Sequence, residues 1–471
     1  MKTILILIIA STSIFGSVSL DSVDNKILNY TYNNETSKAA QLISERIKKY
    51  PGNPKYYFLE LGNDIMHSIV LVNGAAAERK FQVRDSLNNL AIEKAEKYLD
   101  MFEDNAETLE DKFYVGGFHG YLARFYGLDR SYMSAFSSAK SGQRIMEDIL
   151  EENPDFNDAY LLLGMSYYFA DRLSGFIGFV AGILGLSGDR DKGIDYIKRA
   201  ADKGELSFAQ AAISLVEIYT RLEDNEYPAF PYFEKFLKKF PNSSYMINWY
   251  CRELLDLNMT ERVEMFIETD SLNLVDDIVK QRYHFAIGNY EVSEKYWQKI
   301  EKEKSVYWRW FYDQASFTNT LNSVMIEGKA PSVDESLGDN YKDLLSGILK
   351  NTIELKQYIE FQSAINRNQQ VDIEQSLNSL NSSEVKSAVR LNYGIYLING
   401  KKFNEAEPFF DEIRKSQLQL FNYMGCKFLG VIYTNIDVDR EKAENLLDEI
   451  EDKEYERIEF AASEMIKKYD L

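Results

Sequence analysis

The sequence predicts an all-α fold of antiparallel helix pairs stacked into an α-α superhelix. Three observations predict it: turn residues are sparse, apolar side chains suffice for a long core, and small and aromatic residues recur at fixed intervals. Only 8 prolines and 25 glycines interrupt 471 residues, whereas an all-β chain would show turn clusters about every ten residues. The 45% apolar content can fill a core longer than one typical domain and argues against disorder.

The first element is a leader. Lys2, the apolar run Ile4 to Ala10 and the small residues Ser17 and Ser19 have the layout of a secretory signal peptide over 1–19, and the run is too short to span a bilayer. Cleavage is expected after Ser19. No cysteine follows the run, so a lipid anchor is not expected. The chain reads as exported, periplasmic or secreted, with no transmembrane span in its mature part.

Repeats come next. Tyr160-x2-Leu163-Gly164-x2-Tyr167 follows Pro154, Ala229-x3-Phe233 precedes Pro241, and Leu429-Gly430-x2-Tyr433 repeats the first pattern. Gly394, Ala406 and Phe410 keep steps of twelve and four, and Ala39 with Pro51 repeats the step of twelve. Val275 to Ala286, Gly288 and Ser293-x3-Trp297 read as a further helix pair with serine in the alanine place and tryptophan in the phenylalanine place. This spacing resembles the tetratricopeptide repeat, in which small residues let two helices approach and aromatic ones fill the gaps between units. Such units hide their apolar faces only by stacking.

Residues 20–330 are expected to form N-terminal repeats carrying an apolar insertion at 173–186, and residues 331–471 C-terminal repeats with a capping helix. Gly328 to Asn340, containing Pro331, is the expected linker, followed by one long helix from Tyr341 to Asn366. The cap carries Tyr455, Ile458, Ala462, Met465, Ile466 and Tyr469 on one stripe, with Lys467 and Lys468 outside it.

The insertion delays the second helix of its unit: Gly193, Ile197 and Ala200 arrive late, after the glycine-rich run Leu173 to Leu186. That run reads as a buried helix within the repeat or as a membrane-touching element, since its fourteen residues cannot cross a bilayer. Asn153-Pro154, Leu163-Gly164, the insertion, Gly188-Asp189-Arg190, Gly193 and Phe240-Pro241-Asn242 together resemble the tetratricopeptide proteins related to the eukaryotic inclusion-clearance family and its bacterial relatives, over 153–249. The resemblance implies a superhelix and a non-enzymatic role, and carries over no catalytic residue. The export signal sets this chain apart from the eukaryotic members, so a bacterial cell envelope is the expected setting.

Chemistry is harder to find. Asp and Glu number 74 against 54 Lys and Arg, which disfavours a nucleic-acid backbone and leaves a cationic partner open. His67, His119 and His284 lie far apart in sequence and from Cys251 and Cys426, so no metal or cofactor site is expected. The cysteines, 175 positions apart, read as buried thiols, with one long-range disulfide as the alternative. His119 lies near Phe118, Tyr121 and Arg124, a setting for a small ligand. Gly185 to Gly193 lacks a P-loop pattern and reads as a helix start capped by Asp189, with Arg190 and Asp191 paired locally. The enriched feature is aromatic: 14% of the chain, with clusters at Tyr56 to Phe58, Tyr167 to Phe169 and Tyr307 to Tyr312. Rings that packing leaves exposed are usual anchors of binding surfaces. The expected function is a non-catalytic surface for a protein or peptide partner, with glycan or small-ligand binding by the aromatic clusters as the alternative.

Overall fold

Every regular element among the described residues is helical. The computed structural model describes residues 18–173, 185, 188–329 and 336–471. The charge and apolar run of the expected leader, most of the expected insertion, and Pro331 lie outside the described residues. Among the described residues no helix is long and apolar enough to cross a membrane.

Helices start where side chains satisfy the free amides of the first turn. Asp21 and Asp24 form a reciprocal capping box on Ser22–Tyr32, and Thr108 and Asp111 form another on Leu109–Leu128. Asp189 accepts from Lys192 N at 3.0 Å to open Arg190–Lys203, and Arg190 pairs with Asp191 at 2.8 Å, as the sequence predicts.

Successive helices pack as pairs, and small residues set how closely. Tyr160–Asp171 lies against Arg190–Lys203. A Cβ on Gly193 would fall 2.6 Å from Tyr168 N and 2.8 Å from Gly164 O, so the backbones touch. Ser383–Asn399 pairs with Phe403–Ile413, where a Cβ on Gly394 would fall 2.6 Å from the Phe410 ring. In the pair Asp277–Ala286 and Tyr290–Lys302, Ser293 is fully buried and donates to Gln281 O at 3.0 Å.

Two expectations are corrected. Tyr341 to Asn366 is not one helix: Asp339–Ile348 ends, and Asn351 caps Thr352–Asn366 by accepting from Ile353 N and Glu354 N at 3.1 and 3.3 Å. The asparagine side chain takes the amides that a continuous helix would commit to carbonyls. Gly430 is not the close-packed position of its helix, having no neighbour within 4 Å of a Cβ. Gly425 takes that role, 2.5 Å from Arg414 N.

The chain divides into two compact units, residues 1–68 with 84–215, and residues 69–83 with 216–471. The core of the first unit joins Tyr57, Leu61 and Ile65 to Ala95, Tyr98, Phe118 and Leu122. In the second unit Leu321, Val324, Leu345, Leu355, Ile359 and Val385 share one cluster. The second unit also folds back on itself through a polar seam. Tyr227 Oη donates to Asn399 Oδ1 at 3.0 Å, Asn399 to Leu257 O at 2.7 Å, and Asn258 to Asn392 Oδ1 at 2.8 Å. Thr260 donates to Asn366 O at 2.5 Å, and Asn366 to Ala286 O at 3.1 Å. As numbering rises on one side it falls on the other, so two rows of helices run antiparallel and face each other.

Candidate functional site

The seam ends in a buried charge cluster. A π-turn, Ile218–Leu222, follows Phe208–Glu217 and delivers Asp224 at φ +48°. Lys427 lies 3.1 Å from Asp224 and 2.7 Å from Glu226, Tyr423 Oη donates to Asp224, and Arg457 reaches Asp224 at 3.4 Å. Burial works against the Lys427 charge, but Glu226 and Asp224 hold the ammonium above the ordinary lysine range. Burial likewise works to raise Asp224, but Lys427, the Tyr423 hydroxyl and Arg457 hold its carboxyl below the usual range. Glu253 accepts from Trp249 Nε1 at 2.9 Å. Burial, with Asp256 and Glu226 nearby, pushes its pKa up to about 8.

Beside this cluster a cavity of about 770 Å³ opens among the 225–228, 398–403, 431–435 and 464–468 segments and Met259. Its polar lining includes Asn225, Lys401, Lys467 and Lys468, and its apolar lining Ile398, Phe403 and Val431.

The second feature is an exposed aromatic patch, also in the second unit. Lys80 is fully buried and donates to Val72 O and Asn73 O at 2.7 Å each, satisfying the last carbonyls of Pro54–Gly74. Its ammonium lies 5.5 Å from the centre of the Trp308 ring, and burial pulls its pKa down. Trp308 precedes the helix Arg309–Glu327 with ψ 141°. That extended residue lets its ring stack on Trp310, centroids 4.5 Å apart and planes at 16°, which positions two apart on a helix would not allow. Phe81 meets Trp308 edge-on at 5.2 Å. Phe81 and Trp310 remain 53% and 51% exposed.

The other aromatic clusters are absorbed differently. Tyr56 and Tyr57 are buried with Phe58 against the core, and Tyr168 is buried while Phe169 is 41% exposed. The histidines stay apart. His67 Nδ1 lies 2.8 Å from Thr36 Oγ1, His119 Nε2 3.3 Å from Glu103, and His284 stacks on Tyr296. Burial pulls the His119 pKa down. Arg124 and His67 line a smaller cavity of about 400 Å³ in the first unit, whereas His119 does not. Cys251 and Cys426 are free, buried thiols, and burial pushes Cys426 up to about 12. Sequence reasoning found the 307–312 cluster but not Phe81 beside it, nor the cavity, whose lining comes from segments as far apart as Asn225 and Lys468 with no shared motif.

No protein-family model matches the chain, and no curated protein is found similar to it.

Proposed function

We propose that this chain is an exported, non-catalytic protein of the tetratricopeptide type that binds a protein or peptide partner in a bacterial cell envelope. The observation that carries the reading is the patch of Phe81, Trp308 and Trp310, in which Phe81 and Trp310 stay half-exposed against the partly buried Trp308. Rigid aromatic side chains supply large contact area at little entropic cost, which is why they dominate binding energetics. The paired helices and their glycine contacts support the repeat assignment, and the layout of residues 1–19 supports export. Within the second unit the facing rows are bonded to each other by the seam, so this reading puts the partner on the patch.

The test is cross-linking and capture from envelope fractions with wild-type chain and with a Trp308→Ala/Trp310→Ala variant. A partner held by the first and lost by the second supports the proposal; identical partner sets, or none from either, oppose it. A glycan is the second reading, favoured by the open face of Trp310, on which a sugar ring can stack. Saccharide titration monitored by tryptophan fluorescence distinguishes it. The mass of the mature N-terminus tests export. Val18 is buried and Ser19 O accepts from Lys55 at 2.8 Å, so that mass also tells whether these two residues stay with the fold.

A further inference from the structure

We propose that the cavity of the second unit binds a small amphiphilic carboxylate. Its volume of about 770 Å³ suits a small organic molecule. Three lysines line it against one acid, Glu464, although the chain as a whole carries a net charge of -20. Neighbouring Asp224 and Glu226 do not cancel this, because Lys427 and Arg457 balance their two charges.

The three lysines are not equivalent. Lys467 pairs with Glu464 at 3.5 Å, and Lys468 pairs with Asp437 at 3.1 Å and donates to Ile436 O at 2.6 Å. Lys401 has no ion-pair partner among the described residues, and its backbone sits at φ +58°. That left-handed conformation suits glycine or asparagine, and most other such positions in this chain are Asn or Asp. The Lys401 ammonium can hold a carboxylate through charge-assisted hydrogen bonds. The remaining wall of Met259, Ile398, Phe403 and Val431 takes an apolar chain.

Decanoate is the probe, titrated calorimetrically into the full chain beside 1-decanol and decyltrimethylammonium. Decanoate is expected to bind about tenfold more tightly than either. Lys401→Gly relieves the backbone conformation, so it folds, and it is expected to weaken decanoate about fivefold while leaving decanol unchanged. Val431→Trp, which fills the cavity, is expected to abolish both. The proposal is overturned if none of the three binds, if the three bind equally, or if Lys401→Gly leaves decanoate affinity intact.

Discussion

Lys427 reaches Asp224 across 203 residues of sequence, at 3.1 Å and out of solvent. This pair ties the last repeats of the second unit to its first, and several properties depend on it.

Lys427→Met would leave Glu226 buried without its cation and Asp224 with Arg457 alone at 3.4 Å. Removing one partner of a buried pair costs about 3–5 kcal/mol. Trp249, Trp297, Trp308 and Trp310 are the chain's four tryptophans and all belong to the second unit, so denaturation followed by tryptophan fluorescence reads the loss there. The lowered Asp224 pKa makes its contribution present above the ordinary carboxylate value of about 3.9 and lost as pH falls through the folded value. Wild-type chain is therefore expected to lose stability on acidification below about pH 4.

Glu253 has the opposite sign. Its pKa is raised to about 8, so its contribution is fully present below the unfolded value of about 4.3 and is lost as pH rises through 8. Glu253→Gln keeps a partner for the Trp249 N–H and is expected to flatten the decline in denaturation midpoint between about pH 5 and 8.

The glycines give a matched contrast. Gly193→Ala forces a methyl to 2.6 Å from Tyr168 N, and backbone cannot yield cheaply, so a loss of about 1–3 kcal/mol is expected. Gly430→Ala meets nothing within 4 Å in a helix interior and is expected to gain about 0.5–1 kcal/mol. Thermal unfolding of the two variants against wild type checks both signs.

Trp310→Ala removes a half-exposed ring, and surface substitutions of this kind change stability by about 0.5 kcal/mol or less. If the patch is the contact surface, partner affinity drops by about 2 kcal/mol or more. Unchanged thermal unfolding with a lost partner is the expected combination, measured by calorimetry and by binding to the captured protein.

The helix pairs were legible because close approach of two neighbouring helices is a local matter: Gly164 with Gly193, Gly394 with Phe410, and Ala229 with Phe233 all lie within one hairpin or one helix. The break before Thr352 was not, because Leu344, Leu345, Ile348 and Leu349 continue an apolar periodicity up to Asn351, which then caps a new helix. The seam escaped for a different reason. Asn258, Asn366, Asn392 and Asn399 look like surface or loop residues in sequence, and only the folded-back path makes them each other's partners. The aromatic cluster at 307–312 was visible, but Lys80 and Phe81 beneath and beside it come from more than two hundred residues upstream.

The folded-back second unit also sets a timetable for synthesis. At about 5–20 residues per second, Asp224 leaves the ribosome some 10–40 seconds before Lys427, 203 positions later, can meet it. During that wait the nascent row shows water a border of asparagine amides and carboxylates where a greasy one would recruit neighbouring chains. A seam built from hydrogen bonds thus lets an unfinished polypeptide stay dispersed until its closing half arrives.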